Sequence, residues 1–147
     1  LDSLIVKMFR YPLSDFEGAY VDYMLSAGII VIYADNQVHT NEIRTFYDML
    51  SRFIDLDFID PSAFGQATEK NKDMLRKAVD FIIKKYPERI PSLLMDVIFL
   101  AMNDREFNES ELNAILMIGT EYFGMKKDEV MELIRQGMMR YYSPYRI

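Results

Sequence analysis

Apolar residues recur along this chain at steps of three and four, the spacing that gives an α-helix one oily face. From Phe16 the series runs through Tyr20, Tyr23, Ala27, Ile30 and Ala34. Ser14-Asp-Phe-Glu17 stands at its start and reads as a capping box: the Ser side chain accepts the Glu17 amide, and Glu17 reaches back to the Ser amide. The spacing predicts a helix from there to about Tyr33. Its last third is apolar nearly all round, which predicts a central position. Gly28 lies inside that stretch, where glycine costs about 1 kcal/mol relative to alanine. Close packing of a neighbouring helix is the expected reason.

The pattern continues in the same period. A second helix is predicted from near Thr40 to about Ile54, with Ile43, Phe46, Tyr47, Leu50, Phe53 and Ile54 on its face. Pro61 after Asp60 suits the first turn of a short helix. A long amphipathic segment, 68–86, uses Met74, Leu75, Ala78, Val79, Ile82 and Ile83, and Pro87 stops it. Segment 88–102 tolerates Pro91 in its first turn. Asn108-Glu-Ser-Glu111 is a second capping box, opening a helix expected to end at Gly124. The last main helix runs from Asp128 to about Arg140 with Val130, Leu133, Ile134 and Met138 inward. The tail YYSPYRI, which holds Pro144, is expected to leave it. No segment alternates as a strand does. The expected fold class is all-α, a compact bundle of about six to eight helices forming one domain over 1–147.

Two stretches repeat. ADNQVHTNE (34–42) and NDREFNESE (103–111) each place an Asp second and a Glu seven residues later, at a common offset of 69 residues (35 to 104 and 42 to 111). At that offset Leu25 meets Leu94, Ile29 meets Ile98, Val38 meets Phe107, Ile43 meets Leu112, Phe46 meets Ile115 and Phe53 meets Tyr122. The bundle is therefore predicted to rest on two pseudo-repeated helix–loop–helix units, about 14–54 and 88–124, each burying a face it could not bury alone. Ile30, Ala34, Phe46, Leu50, Ile98, Ala101, Ile115 and Ile118 are the expected core.

The repeated carboxylates raise the question of a metal loop. With Glu42 at the twelfth position of a calcium-binding EF-hand loop, Asp35 falls on the fifth and Val38 on the eighth; Glu111, Asp104 and Phe107 do the same. The first and third ligand positions, however, hold Val31 and Tyr33, then Leu100 and Met102. The glycine position holds Asn36 and Arg105. Two carboxylates per loop do not make a seven-oxygen cage. A helix cap accounts for Glu111, and turn hydrogen bonds account for Asp35 and Asp104.

Ala-Asp-x-x-Val-x-x-x-Glu after an apolar helix is similar to the ADGxIxxxE signature of the tellurite-resistance TerB-like family, and Asn-Asp-x-x-Phe-x-x-x-Glu resembles its partner loop. The resemblance covers 16–54 and 88–138. It implies an all-α fold with internal helical pairs, an acidic surface, and a link to tellurite and stress resistance, in domains that occur alone or fused to others. Related domains occur in DnaJ-type co-chaperones. It also implies a metal-binding role, which by motif position falls on Asp35, Glu42, Asp104 and Glu111. Asn36 and Arg105 replace both motif glycines, as in a divergent member.

Composition narrows the function. Of 147 residues half are hydrophobic, with 10 Phe, 10 Tyr, 11 Met and no Trp, enough for a large core. The net charge is −6 and there is no dense Lys/Arg run, so neither nucleic acid nor an anionic membrane surface is the expected partner. Apolar runs such as IIVIYA are too short to span a bilayer. The chain lacks cysteine, which removes disulfides and thiol chemistry and fits a reducing compartment. A cytoplasmic location is expected, although Leu1 in place of Met leaves room for a removed upstream segment. His39, the single histidine, lacks the partners of a zinc site or a triad. The methionine and aromatic excess suits an adaptable core, or a groove for a partner helix, most of all at Met138, Met139, Tyr141, Tyr142, Tyr145 and Ile147. The expected function is a non-enzymatic interaction or scaffold module with a protein partner and no cofactor. A weak divalent-cation binder using the four loop carboxylates is the alternative, and homo-oligomerisation is left open.

Overall fold

The computed structural model describes residues 12–34, 40–54, 69–102 and 107–142. Among them are six α-helices and no strand: α1 (Asp15–Ile32), α2 (Thr40–Leu50), α3 (Glu69–Lys85), α4 (Ile90–Ala101), α5 (Glu109–Met117) and α6 (Lys127–Tyr142). The all-α bundle follows from the three- and four-residue spacing. The short helix suggested at Pro61 and the tail beyond Tyr142 lie outside the described residues.

Both predicted capping boxes are present. Glu17 N–H donates to Ser14 Oγ at 3.2 Å and Ser14 N–H to Glu17 Oε1 at 2.9 Å. Glu111 N–H donates to Asn108 Oδ1 at 2.8 Å. At the other end of the first helix of each unit, Tyr33 N–H reaches Ile29 O and Met102 N–H reaches Ile98 O, both at 3.1 Å and both at the repeat offset. The second helices start at Thr40 and Glu109, again at that offset. The two units thus share their local chemistry of starting and stopping.

Every residue from 26 to 32 is buried, so the second half of α1 has no solvent face. α2, α3, α4 and α5 surround it, with α3 making the longest contact. α4 is wrapped in the same way by α1, α2, α5 and α6. The contact plan is symmetric: α1 with α2 and α3 answers α4 with α5 and α6. Each half therefore contributes three helices, one more than the repeated motif alone marks.

Gly28 is where α2 comes closest. A Cβ built there would stand 2.3 Å from Cε2 of Phe46, whose ring is wholly buried. α6 crosses α4 in a similar way at Gly137, where an added Cβ would meet Ile98 Cγ2 at 2.8 Å. Of the expected core, Ile30, Phe46, Leu50, Ile98, Ala101, Ile115 and Ile118 are buried, and Ala34 is partly so.

Three expectations are corrected. Ile83 and Met138, placed inward by their period, are 38% and 41% exposed; each lies at the edge of its helix's apolar arc, where the neighbouring helix does not reach. The helix from Asn108 does not continue to Gly124 as a regular α-helix. After Met117 it widens into one π-helical turn, Ile118–Tyr122, in which Phe123 N–H bonds Ile118 O at 3.1 Å. Gly124, with φ +73°, then ends it. Finally, α6 runs two residues past Arg140, through Tyr141 and Tyr142.

Gly28→Ala should lower stability by about 1–3 kcal/mol, because a methyl group forced against a buried ring outweighs the better helix propensity of alanine. Urea unfolding measures this. Adding Phe46→Leu should show coupling, with the alanine costing less once the ring is gone. Equal costs in both backgrounds would mean that the ring simply moves aside.

Candidate functional site

Glu42 is 1% exposed and Glu111 2%, and they are the only buried acidic or basic side chains among the described residues. They occupy equivalent positions in the first turn of α2 and α5, where a carboxylate suits the positive end of the helix dipole. Glu111 Oε1 also accepts the Asn108 amide at 3.4 Å, which completes the capping box. Asp35, Asp104 and His39 lie outside the described residues. The EF-hand alignment requires ligands where Val31, Leu100 and Met102 stand, and all three are buried in the core. Among the described residues no three His, Asp or Glu side chains come together as a metal-holding group. Of the two glutamates, Glu111 is engaged in the capping box of its own helix.

A second polar constellation joins α1 to α4. The Tyr20 hydroxyl donates to Asp96 Oδ2 at 2.9 Å, and the buried Tyr23 hydroxyl donates to the Leu93 carbonyl at 2.8 Å. Burial raises the Asp96 pKa from its ordinary value, and the Tyr20 hydrogen bond opposes that rise. Tyr20 is itself pushed up, first by burial and then by the Asp96 charge. Burial does the same to Tyr23. A carboxylate perturbed by burial and set in a cleft is a mark of functional sites.

Two clefts flank this pair. One, of about 290 Å³, lies between α1 and the end of α2, and its walls include Phe16, Tyr20 and Phe53. The other, of about 340 Å³, lies between α4 and α6 and combines Asp96 with Ser92, Gln136 and Arg140 over Met95 and Leu133. Tyr20 lines the first and Asp96 the second, so one hydrogen bond separates them. Both clefts are suited to hydrogen bonding and apolar contact. Ser26, Ser51 and Ser92 each donate to a backbone carbonyl three or four residues back, and none is bonded to a base.

Asp96 is not marked by any pattern in the sequence. Its partner lies 76 residues away, and a single Asp in an apolar helix carries no local signal beyond its own oddity. Comparison with protein-family models, with curated proteins and with solved structures gives no match.

Two expectations follow. Calorimetric titration of the metal-stripped chain with calcium should show no micromolar binding, because Glu111 serves its own helix end and the EF-hand ligand positions are core. Tight binding that Asp35→Asn or Asp104→Asn removes would overturn this. The second concerns pH. Because the folded state raises the Asp96 pKa, it holds that proton more strongly than the unfolded chain, and stability falls as pH rises through this interval. Asp96→Asn, which can still accept from Tyr20, should therefore gain thermal stability relative to the parent as pH rises above about 4, the ordinary aspartate value. A difference that is constant with pH would show that the Asp96 charge costs the fold nothing.

Proposed function

We propose that this chain is a non-enzymatic helical interaction module of the TerB-like kind that its loops resemble, with α6 as its contact surface for a protein partner. One observation carries this. Met131, Met138 and Met139 are 38%, 41% and 58% exposed, and they fall at i, i+7 and i+8, on one stripe of α6. Exposed methionines are unusual on a surface that only meets water, and their flexible, polarisable side chains suit partner binding. Arg135 lies within the stripe. It donates to Glu132 Oε2 at 2.9 Å and to Met139 Sδ at 2.9 Å. Its hydrogen bond lowers the Glu132 pKa to about 2, so the pair stays ionised throughout the physiological range. The stripe thus offers apolar contact around one fixed pair of charges. The setting that goes with this reading is cytoplasmic stress or tellurite resistance, in line with the resemblance and with the absence of cysteine.

A photo-reactive phenylalanine analogue placed at Met139 should give a discrete cross-linked product in the source cells, while the same group at exposed Lys77 on α3 should not. Met138→Glu should suppress the product and change stability by less than about 0.5 kcal/mol, as exposed substitutions do. Equal yields from both positions would remove α6 as the contact surface. A product of twice the chain mass would identify the partner as a second copy.

A further inference from the structure

On the opposite half of the molecule from α6, the cleft between α1 and α2 has a composition of its own. Its apolar walls are aromatic: the Tyr20 ring centroid lies 6.4 Å from Phe16 and 5.6 Å from Phe53, and Met49 lies alongside. Its charged groups are Glu17, Asp48 and Arg52. Glu17 is held in place by the capping box, where its Oε1 accepts the Ser14 amide. Asp48 and Arg52 are exposed and form no side-chain hydrogen bond or ion pair among the described residues, although they stand four apart, at the end of α2 and just beyond it. Two carboxylates against one guanidinium leave the lining itself net negative; Arg89, which touches the Phe16 ring, is not part of that lining. The π-faces of the lining add to the attraction for a cation. Phe16 already shows that preference, since the Arg89 guanidinium sits 4.5 Å from its ring centroid.

We propose that this cleft receives a basic side chain, lysine or arginine, of a partner polypeptide. The aromatic walls cover its methylene stem, and Asp48 and Glu17 meet its charge. Arg52, the one unmatched donor, bonds a main-chain carbonyl beside the inserted residue. A volume of about 290 Å³ falls at the lower end of ligand pockets, which suits one side chain and its adjoining peptide group better than a larger ligand. The assignment is independent of α6, because no residue is shared between the two surfaces.

The test is a titration of the full chain, labelled at its methionine methyl groups with ¹³C, with Nα-acetyl-lysine methylamide and its arginine counterpart. Met49 reports on this cleft and Met95, in the α4–α6 cleft, serves as the internal control. Both amides should shift Met49 saturably and leave Met95 in place. The neutral norleucine amide, which keeps the stem and loses the charge, should bind at least tenfold more weakly. Asp48→Asn, an exposed substitution that the fold tolerates, should weaken the lysine amide several-fold. Equal affinity for norleucine would reduce the cleft to an apolar groove. Tighter binding of the glutamate amide would show that Arg52 sets its selectivity. Parallel shifts of Met49 and Met95, or no shift of either, would also overturn the proposal.

Discussion

Complete burial of the second half of α1 is the constraint from which the rest of the structure follows. A helix with no solvent face must be enclosed on all sides, and its side chains must leave room for each neighbour. Gly28 makes that room for α2 by letting the Phe46 ring lie against the helix backbone. The same burial decides where polar groups can go. Ser26 turns its hydroxyl back onto the Asp22 carbonyl at 2.7 Å, so α1 carries it without an outside partner. Tyr20 and Tyr23 have hydroxyls too far from their own backbone to do so. They cross to α4 and tie the two halves together. The α1–α4 contact is thus specified by hydrogen bonds as well as by apolar area, and Asp96 is ionisable there because one of those hydrogen bonds needs an acceptor.

The pseudo-symmetry of the two halves is close at the helix ends and breaks where packing differs. Ile30 is 8% exposed, whereas its counterpart Phe99 is 43% exposed, in keeping with the longer contact that α1 makes with α3. Leu50, wholly buried, corresponds to Gly119 in the π-helical turn. That turn exposes carbonyls that an α-helix would bond internally. Thr120 bonds back to Leu116 O at 2.7 Å, and Arg76 of α3 caps Glu121 O at 2.9 Å and Tyr122 O at 3.2 Å while its guanidinium rests 4.3 Å from the Tyr122 ring centroid. α3 therefore serves both halves: it encloses α1 and closes the irregular end of α5. No equivalent irregularity is seen in α2, which ends after Leu50 in ordinary turns.

Features set by chemistry within a few residues were legible from the sequence. Both capping boxes, the stop at Pro87, the value of Gly28 and the common offset of the two units all depend on short-range rules. The burial of Glu111 was only half legible: its cap was visible, but the depth of that burial, like that of Glu42, depends on helices from elsewhere in the chain. The π-helical turn was not legible, because one extra residue per turn leaves the apolar spacing from Ile115 to Phe123 nearly unchanged. Ile83 and Met138 were misplaced for a related reason. Periodicity gives the direction of a face but not how wide an arc the neighbouring helix covers. The clefts and the Tyr20–Asp96 bond depend on which helices become neighbours, and no local pattern encodes that.

Burial also separates architecture from recognition. A carboxylate such as Glu111 that satisfies its helix terminus and is nearly inaccessible can reach an ion or a partner only by leaving the cap, which would expose backbone amides and cost about 1 kcal/mol before any new bond forms. Glu111 of the repeated Asp…Glu pattern is in that sense part of the frame of its helix pair. The groups with capacity to spare are the plain ones. Asp48 and Arg52 make no side-chain hydrogen bond or ion pair among the described residues, and the three α6 methionines have exposed area that the fold does not use. They lie on different halves of the pseudo-symmetric bundle and have no counterparts at the repeat offset: Asp48 corresponds to Met117 and Arg52 to Glu121. The repeated helix ends supply the common frame, and these exposed residues are where the two halves depart from it.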